Sequence, residues 1–69
     1  MGVGERIRRY RKAGGYTQRG LAEEVGVTES AIRNYELGLR TPSESQLEAI
    51  ARALDVAQES LADNGIVGA

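Results

Sequence analysis

Residues 18–35 read QRGLAEEVGVTESAIRNY, the pattern of a short helix, a tight turn and a second short helix. Ala22 is small where the two helices would touch, and Gly26 can adopt the left-handed conformation that ends a helix without a steric penalty. Val27 and Ile32 are apolar where the second helix would pack back onto the first. The spacing of these residues predicts a helix-turn-helix unit.

On both sides of this unit, glycine and proline residues that interrupt helices divide the chain into five short segments. Apolar residues recur in each segment at separations of three and four, as in Ile32, Tyr35 and Leu39 of the third segment, and no stretch alternates with period two. The pattern predicts an all-α fold of five helices. Oxygen-bearing N-cap residues stand before three segments, and Ser43 with Gln46 fits a capping box. These caps are Thr17, Thr28 and Ser43, and glycine ends are predicted at Gly26 and Gly38. The fifth helix has weak signals, because Ala57 is a poor cap and Leu61 is its one strong apolar anchor.

The amino-acid composition excludes several kinds of metal site and catalytic site. The 69 residues include no Cys and no His, which excludes zinc fingers, thiol nucleophiles and a Ser-His-Asp triad. A chain this short has little room for a catalytic cleft, so we expect no enzyme, no metal and no cofactor. No apolar run is long enough for a membrane span and no signal peptide is recognisable, so we expect a cytoplasmic protein without membrane contact.

Charge is distributed unevenly along the chain. Residues 1–40 hold eight basic and five acidic side chains, a net charge of +3, whereas residues 41–69 hold one basic and five acidic side chains, a net charge of −4. A basic half that faces a polyanion and an acidic half that faces away are physically compatible. The overall charge of −1 therefore does not exclude nucleic acid as a partner.

Helical angles predict which side chains face the core and which face outward. With Ile32 taken as the core direction, Glu36 lies about 40° from it, and Arg11 lies about 40° from the core direction of Ile7 on the first helix. An inward charge without a partner is costly, so Arg11 and Glu36 are predicted to form a structural ion pair. The alternative is a role in DNA binding, with Arg11 in contact with phosphate. The side chains predicted to face outward on the third helix are Ser30, Arg33, Asn34 and Leu37.

The motifs of the chain resemble the phage repressor and Cro family, the XRE-type helix-turn-helix domains. The resemblance covers residues 3–61 and implies a five-helix, lambda repressor-like domain. It implies the same pairing of Arg11 with Glu36. Independently of the resemblance, we expect a domain over residues 1–63 and a C-terminal tail or linker stub at 64–69, because the end of the chain is apolar and carries no cap. The motifs that carry it are Gly4-Glu5-Arg6-Ile7-Arg8, Gly15-Tyr16-Thr17-Gln18, Leu21-Ala22-Glu23, Val25-Gly26-Val27, Tyr35-Glu36-Leu37-Gly38 and Arg40-Thr41-Pro42-Ser43.

Four positions depart from the family pattern. Gly20 lies inside the second helix, where it costs about 1 kcal/mol relative to alanine. Asp55 stands where a glycine usually ends the fourth helix. Gln58 and Ala62 replace apolar residues of the fifth helix, which puts the C-terminal packing in question but not the fold.

The resemblance implies that the third helix, about residues 28–37, reads bases in the major groove of operator DNA. Glu29, Ser30 and Asn34 match base-contacting positions, and Arg33 reaches either a guanine or a phosphate. Asparagine pairs with adenine, serine serves as donor or acceptor, and glutamate accepts from cytosine N4. The alternative is that Glu29 only complements the helix macrodipole, and that Ser30 and Asn34 are only solvated.

Phosphate contacts are expected beside the reading helix. The family pattern assigns a phosphate clamp to the start of the second helix, at Thr17 and Gln18, with Arg19 next to it. Arg40, in the loop after the third helix, is the expected contact on the other side. Two further groups are expected to have other roles: Arg8, Arg9 and Lys12 as a solvated helix face, and Tyr10, Tyr16 and Tyr35 as core residues.

The sequence thus predicts a sequence-specific regulator of transcription, a repressor, that binds double-stranded DNA as a homodimer. Candidate dimer contacts are the loop around Leu39, the fifth helix near Leu61 and the Ile66-Val67 tail, whereas exposed Leu37 could touch either DNA or a second subunit. The alternative is a protein-interaction or antitoxin module on the same fold, which mild acidity, Glu29 and Leu37 would also suit.

Overall fold

The computed structural model describes residues 2–62 and contains five α-helices in that range, with no strand. They are α1 (Val3–Ala13), α2 (Gln18–Val25), α3 (Glu29–Leu37), α4 (Glu44–Leu54) and α5 (Gln58–Leu61). The predicted all-α, five-helix architecture is confirmed. The boundary at residue 63 and the tail at 64–69 lie outside the described residues.

The three predicted helix starts are confirmed by side-chain hydrogen bonds. The Thr17 hydroxyl accepts from the Gly20 N–H, and the Thr28 hydroxyl accepts from the Ala31 N–H. Ser43 and Gln46 form the full capping box, in which each side chain accepts from the backbone N–H of the other residue. Each cap satisfies an N–H group that the helix itself leaves without a partner.

Left-handed residues end α2, α3 and α4. Gly26 has a φ of 86° and Gly38 a φ of 76°, as the turn signals predicted. Asp55 adopts the same conformation with a φ of 61°, which costs an L-residue about 1 to 2 kcal/mol, although aspartate tolerates it better than most. The departure at Asp55 therefore changes the residue at the end of α4 but not the geometry of that end.

Ten apolar side chains form one core shared by all five helices. All three tyrosines contribute to it as predicted, with Tyr35 buried and Tyr10 and Tyr16 packed against its edge. Leu61 is fully buried, so one strong anchor is enough to hold α5 against α1 and α4. The core comprises Ile7, Leu21, Ala22, Ala31, Ile32, Tyr35, Ile50, Ala51, Leu54 and Leu61.

Leu39 does not face the core, although its spacing in the third segment predicted an apolar face position. The spacing grouped Leu39 with Ile32 and Tyr35, but its exposed fraction is 71%. The helix has already ended at Gly38, so the helical angle no longer applies to the next residue. Leu39 is a surface residue of the α3–α4 turn.

Helix α1 crosses the end of α3 at very close range. A Cβ atom built on Gly4 would lie 2.1 Å from the Tyr35 carbonyl oxygen and 2.9 Å from the Glu36 carbonyl oxygen. The contact brings the N-terminal end of α1 against the C-terminal end of α3, where the opposite ends of two macrodipoles attract. Gly4 is therefore a packing requirement.

Gly20 has a steric neighbour as well as a low helix propensity. A Cβ atom there would lie 3.1 Å from the Thr17 Oγ1 that caps α2. Glycine costs the helix about 1 kcal/mol relative to alanine at this position. Part of that cost is offset, because the absence of a Cβ atom leaves space for the Thr17 cap.

Helix α5 has no side-chain cap at Ala57, in agreement with its weak start signal. The Arg6 guanidinium donates to the Ala62 carbonyl, which ties α1 to the end of α5. None of the helices in the described range has the length and apolar character that a bilayer crossing requires.

Candidate nucleic-acid interface

Helix α3 presents a polar face on the surface of the domain. Ser30, Arg33 and Leu37 are exposed, as their helical angles predicted. Asn34 is half-buried. Its backbone carbonyl oxygen accepts from the N–H groups of Leu39 and Arg40 in the turn that follows. The face therefore offers a hydroxyl, a guanidinium and one partly covered amide.

Two predicted base-reading residues are paired with each other on this face. Arg33 Nη2 lies 3.6 Å from Glu29 Oε2, and the two side chains are 49% and 45% exposed. The residues are one helical turn apart, with glutamate on the N-terminal side, which is the favourable order for an i,i+4 pair. The i,i+4 spacing of Glu29 and Arg33 is visible in the sequence, but the ion pair was not among the predicted contacts.

The predicted phosphate-binding residues surround the start of α2 and the end of α3. Thr17 uses its hydroxyl as the helix cap, and Gln18 Nε2 donates to Glu36 Oε1 at 3.1 Å. Arg19 pairs loosely with Glu23 at 3.6 Å on the exposed side of α2, and Arg40 is exposed in the α3–α4 turn. These side chains come from the segments that flank the polar face of α3.

The inward charges meet between α1 and α3. Arg11 Nε donates to Glu36 Oε2 at 2.6 Å and Arg11 Nη2 to Glu36 Oε1 at 3.1 Å, a two-pronged geometry. Arg11 Nη1 also donates to the Tyr16 carbonyl oxygen at 2.9 Å. The Arg11 and Glu36 side chains are 10% and 3% exposed, so the pair is largely withdrawn from water.

Glu36 thereby connects the core to the start of α2. Its carboxylate accepts from two nitrogens of Arg11 and from the amide of Gln18. Within residues 2–62, no buried side-chain nitrogen or oxygen lacks a hydrogen-bond partner. The hydrogen bond from Gln18 to Glu36 fixes the orientation of the Gln18 side chain. No local pattern in the sequence indicates this contact.

A shallow depression lies where α1, α2 and α3 meet. Arg8, Gln18 and Arg33 line it together with Glu36, Leu37 and Glu5. Arg8 was predicted to belong to a solvated helix face; it is exposed, but it also lies beside the residues expected to contact phosphate. No sequence signal identifies this proximity, because it depends on how α1 crosses the other helices.

Among the described residues, no three side chains of the His, Cys, Asp and Glu types are grouped in a way that could hold a metal ion.

Comparisons with known proteins identify the family. The helix-turn-helix family model matches residues 7–57. The transcriptional regulator SinR of Bacillus subtilis is 42% identical over 62 residues, an alignment that covers 88% of this chain and 56% of SinR. The chain thus spans little more than half the length of that relative.

Two solved structures have the same architecture. A structure of SinR in complex with DNA has a TM-score of 0.81 and 42% identity, and the match covers 86% of this chain and 95% of that chain. The P22 c2 repressor in complex with a synthetic operator has a TM-score of 0.86 and 33% identity, covering 91% of this chain and 96% of that chain. With its capped helices, its tight turn and these matches, the chain belongs to the helix-turn-helix family of the phage repressor, or XRE, type.

Proposed function

We propose that this protein is a sequence-specific regulator of transcription, acting as a repressor, that reads double-stranded DNA with α3. The observation that carries the proposal is the polar face of α3 beside the capped start of α2, in an architecture that matches two proteins solved with DNA. A helix fits the major groove, where each base pair presents a distinct hydrogen-bonding pattern. A cytoplasmic location follows, because the proposed ligand is genomic DNA.

Base reading is proposed for Glu29, Ser30, Arg33 and Asn34. The Asn34 amide pairs with adenine, Ser30 adapts to a donor or an acceptor, and Arg33 donates to guanine. Glu29 accepts from cytosine N4. The exposure of Ser30 and Arg33 supports these roles, whereas Asn34 is half-buried.

Phosphate binding is proposed for Thr17, Gln18, Arg19 and Arg40. The first turn of α2 carries backbone N–H groups and the positive end of the helix macrodipole, which attract an anion. Because Glu36 holds one end of the Gln18 amide, Gln18 is oriented before DNA arrives. Arg40 supplies a positive charge on the far side of the α3 face.

The decisive experiment selects bound duplexes from a random pool and then titrates the selected duplex at two salt concentrations. A DNA-binding protein enriches a defined sequence and loses affinity linearly on a logarithmic scale as salt rises. An interaction module would enrich no sequence, and its contact with DNA would be weak. The first outcome supports the proposal, and the second overturns it.

Removal of a base-reading side chain should relax specificity at one position. We expect Asn34→Ala or Ser30→Ala to cost about 1 to 3 kcal/mol in binding at one base pair, with thermal unfolding nearly unchanged. Binding to a panel of single-base operator variants measures this effect. An equal loss on every duplex would contradict base reading by that residue.

Removal of a phosphate contact should act on all sequences alike. We expect Arg40→Ala to weaken binding to specific and random duplexes and to reduce the salt slope by about one unit. Titrations at several salt concentrations measure the slope. A slope equal to that of the unaltered protein would exclude a phosphate role for Arg40.

A homodimer on DNA is proposed because one reading helix covers too few base pairs to specify a genomic site. Two subunits related by a two-fold axis would place their α3 helices about 34 Å apart, on half-sites one helical turn apart. Leu39 and Leu37 are the large apolar side chains exposed in the described range, and this patch is small. We therefore expect a monomer in solution and two subunits on the operator, measured by light scattering with and without DNA. One subunit on a high-affinity asymmetric site would refute the dimer.

A further inference from the structure

Three exposed i,i+4 ion pairs lie on the described helices, and one of them occupies the proposed reading face. They are Arg19 with Glu23 on α2, Glu29 with Arg33 on α3, and Glu48 with Arg52 on α4. The α3 pair has the least exposed side chains of the three, at 49% and 45%. Its arginine also lines the depression that contains Gln18, where a phosphate is proposed to bind.

From this geometry we infer that Glu29 is a specificity-determining residue that acts by competing with DNA phosphate for Arg33. The inference rests on the proposed DNA-binding function and deepens it. Specificity is a difference between two affinities, so it increases when an interaction with the wrong ligand is weakened. Glu29 weakens the interaction that every duplex offers, which is the pairing of a guanidinium with phosphate.

On a random duplex, the pair has to open before Arg33 can neutralise a phosphate. The Glu29 carboxylate is then left without its partner beside a polyanion. Non-specific binding depends on phosphate neutralisation, so it loses most from this competition. An exposed pair opens at a cost of at most about fivefold in an equilibrium constant, which allows exchange of partners on DNA.

On a duplex with a cytosine within reach of Glu29, both charges find new partners. The Glu29 carboxylate accepts from the cytosine N4 amino group, and the released guanidinium donates to a guanine or a phosphate. Because the two residues are one turn apart on α3, these contacts fall on the same stretch of groove. The partner class is thus a duplex that presents a cytosine amino group to the first turn of α3.

The test compares Glu29→Gln with two matched variants on the selected duplex and on a random duplex of equal length. We expect Glu29→Gln to bind the random duplex about 3 to 5 times more tightly at low salt, with a salt slope steeper by about 0.9, as for one additional phosphate. Affinity for the selected duplex should stay equal or fall, so the specificity ratio should drop at least about threefold. Thermal unfolding checks that each variant is folded.

Glu48→Gln is the first matched control, because it removes the same charge from an i,i+4 pair on α4, away from the reading face. Its affinity for the random duplex should rise less than twofold. The second control makes Glu29→Gln in an Arg33→Gln background, where the change in salt slope should disappear.

Two results would overturn the inference while the proposed function stands. Equal effects of Glu29→Gln and Glu48→Gln would assign the change to net charge alone. A full effect of Glu29→Gln in the Arg33→Gln background would show that Glu29 repels phosphate directly. If the unaltered protein binds no duplex in a salt-dependent manner, both the inference and the proposed function are overturned.

Discussion

Replacement of Arg11 with alanine is expected to lower the free energy of unfolding by about 3 to 5 kcal/mol. The change leaves the Glu36 carboxylate, whose side chain is 3% exposed, without the two guanidinium donors that now bind it. It also leaves the Tyr16 carbonyl oxygen without its donor. A small domain has only about 5 to 10 kcal/mol of stability, so this loss removes about a third of it or more.

Urea unfolding and thermal unfolding measure this loss. Arg8→Ala is the matched control, because Arg8 lies on the same helix but is exposed, and it should change stability by no more than about 0.5 kcal/mol. Arg11→Glu combined with Glu36→Arg should recover part of the stability, since the two charges are exchanged. In a double-mutant cycle, a coupling energy near zero would show that the Arg11–Glu36 ion pair does not stabilise the fold.

Replacement of Gly4 with alanine is expected to destabilise the fold by about 3 kcal/mol, at the upper end of overpacking effects. The new methyl group would lie 2.1 Å from the Tyr35 carbonyl oxygen, and a backbone atom has no rotamer by which to move aside. Helix α1 would have to move away from α3, against the packing of Ile7 and Tyr35 in the common core. The steric effect outweighs the gain of about 1 kcal/mol that alanine brings to a helix.

Gly2→Ala is the matched control for this variant. A Cβ atom on Gly2 has nothing within 4 Å, so its cost is at most about 1 kcal/mol, the difference between glycine and alanine at an N-cap. Urea unfolding of the two variants gives the comparison. Equal stability of Gly4→Ala and the unaltered protein would mean that α1 can shift on α3 without loss.

The helices and their ends could be predicted from the sequence, because each signal lies within about four residues of the helix end it marks. Thr17, Thr28 and Ser43 cap the helices that they precede, since a cap needs only its own oxygen and the N–H group three residues on. The inward direction of Arg11 and Glu36 follows equally from helical angle. The i,i+4 spacing of Glu29 and Arg33 was also readable.

Contacts between distant residues could not be predicted from local signals. Gly4 meets Tyr35 across 31 positions, and Gln18 meets Glu36 across 18, so both depend on how whole helices cross. Leu39 was assigned to a helical face because its spacing fits, although the helix had ended one residue earlier. Asn34 was predicted to face outward by its helical angle, but it is half-buried.

Local signals in the sequence therefore specify which residues form helices, where most of those helices begin and end, and which face of each one turns inward. The close approach of α1 to α3, the bond from the Gln18 amide to Glu36, and the position of Arg8 beside Gln18 and Arg33 arise instead from the way the helices cross. The reason is physical. Helix formation is governed by hydrogen bonds between residues three and four apart, whereas the crossing of helices is set by the packing of side chains that the chain brings together only after it has folded.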